Sequence, residues 1–284
     1  MKTFRLILIL SLLVVALGIA TSASAGAFTY TSGFQVQNLE ASAASITVTF
    51  YNQDGTKANE VTDSVGASGS KTYFPLTQVS DGFNGSVVIS SDKQVAAIGN
   101  VLGDSGLAAA SYSAANSGAT TVLLPLLMKG NSGFNTWFNV QNTGGTAASV
   151  SVAYSDGSSA SATIQPGAAH TFDQAAETHT QAVFSAEVTS DQPVAATVIE
   201  ESSDIMFAYS GFTPSDAATN PVLPLINANN AGYVTGVQIQ NTGASDTSVS
   251  VKYTSTDGTS TCTETQTVAA KSSGTFALQA FNTG

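Results

Sequence analysis

Phe138-Asn139-Val140-Gln141-Asn142-Thr143-Gly144 returns 99 residues later as Val237-Gln238-Ile239-Gln240-Asn241-Thr242-Gly243. A weaker copy, Phe34-Gln35-Val36-Gln37-Asn38, stands 104 residues before it. Self-similarity at a near-fixed period marks a tandem array, in which each unit is read against its copies. After each Gln-Asn motif comes an alternating run: Ile46, Val48, Phe50; then Val150, Val152, Tyr154; then Val249, Val251, Tyr253. Apolar residues at period two, with Ser149, Ser151 and Ala153 between them, are the mark of a strand with one face buried and one wet.

The runs end at Asp54-Gly55, Asp156-Gly157 and Asp257-Gly258, and a polar segment then leads to Tyr73, Phe172 or Phe276. From first aromatic to second is 23 residues in the outer copies and 18 in the middle one, so the middle hairpin is five residues shorter. A further landmark follows in two copies, Ser91-Asp92-Lys93-Gln94-Val95-Ala96-Ala97 and Ser190-Asp191-Gln192-Pro193-Val194-Ala195-Ala196. The spacing places its third copy near position 298, past Gly284, so the third unit is expected to be incomplete and the chain a piece of a longer one. Leu124-Pro125 and Leu223-Pro224, again 99 apart, each precede an Asn- and Gly-rich loop and open a new unit.

The middle unit parses into strands near 122–127, 134–142, 147–155, 158–165, 168–173, 182–189, 193–200 and 205–210, with turns between them. Helical periodicity is essentially absent after residue 25. Seven or eight short strands with frequent turns predict an all-β fold of β-sandwich modules, each about 100 residues long. A domain of that size can be stable on its own core without disulfides. Cys262, the single cysteine, is read as a small buried residue, because one thiol makes no internal bridge.

Val140-Gln141-Asn142-Thr143-Gly144, the alternating run, Asp156-Gly157 and Pro166-Gly167 before Phe172 resemble the cell-adhesion-related Ig-like repeats of bacterial surface proteins. The match covers the first two-thirds of each unit. The first copy departs from it, with Leu39-Glu40 in place of Thr-Gly and Ala67-Ser68-Gly69 where Pro-Gly would stand. The resemblance implies tandem Ig-like β-sandwich modules in a surface or adhesion setting, and it carries over no catalytic residue.

Residues 1–25 read as a secretory signal peptide: Lys2 and Arg5, an apolar run from Leu6 to Leu17, then Ala23-Ser24-Ala25. Residues 26–121, 122–221 and 222–284 are then repeats one, two and three, the last truncated. Without the leader, six lysines face 19 acids, for a net charge of −13. Such a surface repels phosphate backbones, which argues against nucleic-acid partners, and it disfavours anionic membranes. The expected location is secreted or cell-surface, with no membrane insertion once the leader is gone.

Candidate chemistry is sparse. Asn38, Asn142 and Asn241 are expected to brace their own turns by side-chain hydrogen bonds and to tolerate left-handed geometry. Asp54, Asp156, Asp257, Asp92 and Asp191 are read as turn residues in the same way. His170, Asp173, Glu177 and His179 form a local series, but their spacing fits no metal motif and they read as loop. Glu200, Glu201 and Asp204 offer oxygen ligands for calcium at a module junction. The first copy has only Asp104 there, so a solvated acidic edge is the plainer expectation. No nucleophile elbow or phosphate loop is present, so no enzyme activity and no cofactor is expected. The function expected is a non-catalytic structural or adhesive role, with other surface proteins or glycans as partners. The alternatives are a carbohydrate-docking region using Trp137, Tyr51, Phe83, Tyr209 and Phe212, or a subunit of a surface layer or filament.

Overall fold

A computed structural model describes residues 26–277; the leader assigned to residues 1–25 lies outside the described residues. Among the described residues the chain is all-β, built from antiparallel strands with one short 3-10 turn at Pro214–Asp216. Among the described residues, no helix is long and apolar enough to cross a membrane.

The first unit contains β1 (Tyr30–Asn38), β2 (Ala44–Asn52), β3 (Lys57–Val65), β4 (Ser70–Tyr73), β5 (Gly85–Ser91), β6 (Val95–Gly103) and β7 (Ala108–Ser113). They form two sheets, in the orders β4-β1-β6-β7 and β3-β2-β5. The alternating run supplies the core: Ile46, Val48 and Phe50 point inward from β2 to meet Val36 of β1 and Tyr73 of β4. This is a sandwich, each sheet giving its apolar face to the other.

The second unit contains β8 (Ala119–Met128), β9 (Asn135–Asn142), β10 (Ala148–Tyr154), β11 (Ser159–Ile164), β12 (Ala169–Asp173), β13 (Val183–Glu201) and β14 (Met206–Ser210). Its pairings repeat those of the first: Tyr154 lies opposite Ala186 as Phe50 lies opposite Val87. The segments expected as separate strands at 182–189 and 193–200 are one strand of 19 residues. Its first half pairs with β10 and β8, its second with β9 and β14, and the register with β8 shifts between Thr189 and Val194. A strand that changes sheets turns a corner of the sandwich without a loop. Ser190-Asp191 therefore marks a bend.

Fewer strands of the third unit are among the described residues. After β15 (Ala228–Asn230) and β16 (Tyr233–Val234), β17 (Val237–Gln240) pairs with β20 (Ser273–Phe276), and β18 (Thr247–Thr254) pairs with β19 (Thr261–Val268). Its core is Val237, Val268 and Phe276 with a few half-buried neighbours. Cys262 is half-buried on β19, opposite Tyr253.

The first two units are not separate bodies. One apolar cluster combines Phe28, Val101, Ala108 and Ala110 of the first with Ile199 and Met206 of the second, flanked by Tyr30, Tyr112, Trp137 and Ala208. The expectation that each unit rests on its own core alone is corrected here. The sequence conceals this layer because its members lie outside the repeated motifs.

Candidate functional site

Asn38, Asn142 and Asn241 occupy one geometry three times. The Asn142 Oδ1 accepts from Gly144 N at 2.8 Å, while its Nδ2 donates to Thr146 O at 2.7 Å and Ile164 O at 2.9 Å. Asn38 donates to Ser42, Val65 and Gly66, and Asn241 to Ser245, Val268 and Ala269. In the two sandwiches these bonds join a strand of one sheet to the end of a strand in the other, so each asparagine ties the layers as well as its turn. None of the three has a positive φ, so the left-handed geometry expected of them is not used. The side chain satisfies buried backbone carbonyls that neither sheet reaches.

The aspartates hold turns. Asp54 accepts from Thr56, and Asp257 from Ser255 and Thr259, whose hydrogen bonds hold its carboxyl at about 2. Asp92 and Asp191 accept from Ser45 N and Ser149 N at the corners between sheets.

Asp156 does more. Burial pulls its carboxyl up, but hydrogen bonds from Ser158, Thr180 and His179 outweigh this and hold it at about 2. The His179 ring is fully enclosed, stacked on Phe184 at 4.1 Å and edge-on to Tyr154. Tyr154 donates to Glu177 at 2.7 Å; burial raises the Tyr154 hydroxyl, and burial also raises the Glu177 carboxyl. Thus Glu177 and His179 come together with Asp156 and Tyr154, while His170 stands exposed on β12 and Asp173 caps its own turn.

The grouping of Ser158, His179 and Asp156 resembles a hydrolase relay but has the wrong connectivity. Both Ser158 Oγ and Asp156 Oδ2 meet the same ring nitrogen, Nδ1, at 3.1 Å. Nε2 has no hydrogen-bond partner and lies 3.9 Å from Glu177 Oε2. A relay needs one nitrogen toward the nucleophile and the other toward the carboxylate. This arrangement pins the 174–181 loop to the Asp156-Gly157 turn.

The proposed calcium ligands are dispersed. Glu200 and Glu201 are consecutive on β13 and face opposite sides, and Asp204 lies in the exposed turn beyond, near Ser202 and Ser203. Glu201 is not a solvated edge residue. Its carboxylate accepts from Ala27 N at 2.6 Å, Tyr30 OH at 2.5 Å and Trp137 Nε1 at 3.1 Å, beside the shared cluster. Three donors satisfy the buried charge, and two of them belong to the first unit. Glu200, desolvated and with no side-chain hydrogen bond among the described residues, has its carboxyl pushed up to about 7.

A second seam lies at the turns. Ser86 Oγ donates to Gly167 O at 2.5 Å, and Gln141 Nε2 to the same oxygen at 3.0 Å. Gly167 has φ +77, and an added Cβ would lie 2.7 Å from the Tyr51 ring, so only glycine fits this turn against the first unit. Trp137, Tyr51 and Phe83, considered as glycan platforms, are occupied elsewhere: Trp137 and Tyr51 at the seams, Phe83 edge-on to Phe50. Phe212 is 45% exposed, and Phe207, which the sequence did not single out, is 54% exposed and stacked on Phe134.

Compared with known proteins, the chain matches no family model, no curated protein and no solved structure.

Proposed function

We propose that the chain is a non-catalytic, secreted or cell-surface array of tandem Ig-like modules with a structural or adhesive role. The observation that carries this reading is the seam between the first two units. An apolar cluster, a triply bonded Glu201 and a glycine-mediated turn contact fix one module against the next. Docking of this kind converts tethered beads into a stiff spacer that holds its ends apart. The leader read at residues 1–25 and the acidic, charge-poor composition support export. Fractionation of cells making the full chain tests it: the protein is expected outside the cell, starting near Gly26. Retention in the cytoplasm with Met1 intact would overturn the reading.

Phe134, Phe207 and Phe212 favour a second reading, glycan docking on the second unit. Exposed rings offer a stacking surface for sugar faces. Glycan-array binding lost on Phe207→Ala would support it.

A further inference from the structure

Each sandwich sets two edge strands side by side, one from each sheet: β3 and β4 in the first unit, β11 and β12 in the second. The strand registers place Asp63, Ala162 and Gln266 at one position on the first edge. Lys71, His170 and Gly274 share one position on the other. In the first unit Lys71 Nζ and Tyr73 OH both donate to the Asp63 carboxylate, which clips β3 to β4. In the third, Gln266 Nε2 donates to Thr275 O at 2.8 Å and clips β19 to β20. The second unit has no such clip among the described residues. Ala162 has no group that could make one, and Ala160 stands where the first unit has Val61.

The space this opens is a cleft of about 450 Å³ between β11 and β12, with residues 176–178 as its third wall. Its size falls within the range of small-ligand sites, about 300–1,000 Å³. Phe172 lies at the floor, and the exposed His170 ring stands edge-on to it at 4.8 Å. The third wall is fixed from behind. The enclosed His179 ties the loop to Asp156 and Ser158, Lys129 donates to Glu177 O, and Tyr154 donates to Glu177 Oε2. A spacer has no use for a surface loop held by a buried polar network. A binding site does, because groups already in place lose little freedom when a ligand arrives.

We propose that this cleft binds a neutral saccharide. Ser159, Ser161 and Thr178 line it, and hydroxyls both donate and accept, as sugar hydroxyls require of a partner. Glu177 adds an acceptor, since its Oε1 has no hydrogen bond among the described residues. The His170 and Phe172 rings give an apolar patch for the C–H face of a sugar. Anionic ligands are disfavoured by Glu177 and by Asp173 beside it. An ammonium ligand is disfavoured as well: burial pulls the Glu177 carboxyl up, and Tyr154 already occupies Oε2. The cleft shares no residue with the exposed rings of Phe134, Phe207 and Phe212. It goes beyond the structural-array reading by adding a ligand site to the middle unit.

Saturation-transfer NMR on the full chain tests it with a fixed panel: glucose, galactose, mannose, N-acetylglucosamine, cellobiose and chitobiose, with ethylamine and acetate as charged probes. At least one sugar is expected to give a saturable signal. Titration with that sugar should shift the ring resonances of His170 more than those of His179, the only other histidine. Ala162→Asp with His170→Lys, which installs the clip of the first unit, should abolish the signal. Ala160→Val, the residue the first unit carries there, is a milder closure that reads out even where the pair fails to fold, and it should weaken the signal. No signal from any sugar, tighter binding of ethylamine or acetate, or sugar binding that survives both closures would overturn the proposal. Loss of the signal on Phe207→Ala would move the sugar to the exposed rings and overturn it too. Failure here leaves the exported array standing, because fractionation of cells decides that reading separately.

Discussion

Residues 122–127 and 221–226 carry the same Leu-Pro strand sequence and meet opposite fates. In the second unit Leu124 and Leu127 are fully buried and paired to β13. In the third unit their counterparts Leu223 and Ile226 lie on no strand, and Leu223 is half in solvent. A β-strand has no internal hydrogen bonds, so its sequence is a capacity that a partner edge realises. Among the described residues the two segments differ by that partner.

The largest expected effect is a direct comparison of the two sites. Leu124→Ala removes a buried side chain and should cost about 3 kcal/mol. Leu223→Ala in the monomer should stay within about 0.5 kcal/mol. Urea denaturation of the full chain reads both, and equal costs would break the contrast.

The asparagine ties come next. Asn142→Ala strands two buried carbonyls and one N–H, at a cost of roughly 2 kcal/mol. Asn241→Ala should cost less, because the described core beside it is only Val237, Val268 and Phe276 with half-buried neighbours. Amide hydrogen exchange near Thr146 and Ser245 distinguishes the two.

A smaller loss is expected at the seam. Glu201→Gln keeps one acceptor and loses the charge, for about 1 kcal/mol. Its signature is faster proteolysis in the connecting segment 114–118, with the sandwich of the second unit still folded. The seam to the third unit shows mainly Gln240 on Ala186 O and Lys271 on Glu187, so Lys271→Ala should change little.

A last effect is tied to pH. The Glu200 carboxyl sits at about 7 in the folded chain, above its unfolded value near 4.3. A raised carboxyl binds more protons folded than unfolded, so stability falls as pH rises between these values. Glu200→Gln should raise the thermal midpoint at pH 8 and leave it unchanged at pH 4. A shift of equal size at both values would assign Glu200 a packing role instead.

Much of the fold was legible in the sequence because strands and turns are local. Period-two runs gave β2, β10 and β18, and Asp-Gly pairs gave their hairpins. The candidate site was less legible. Glu201 and Trp137 are far apart in sequence and meet Tyr30 across a boundary between units, where no motif spans the contact. His179 lies in a loop as read, but the enclosure of its ring was not legible, because Tyr154 and Phe184 come from other strands.

The repeat length, the strand faces and the positions of the turning asparagines and aspartates follow from the sequence alone, since each depends on neighbours a few residues away. Tertiary structure alone decided that β13 serves two sheets and that the first two units share a core. Burial patterns tell a strand which face to hide. Only the assembled chain supplies the surface that hides it.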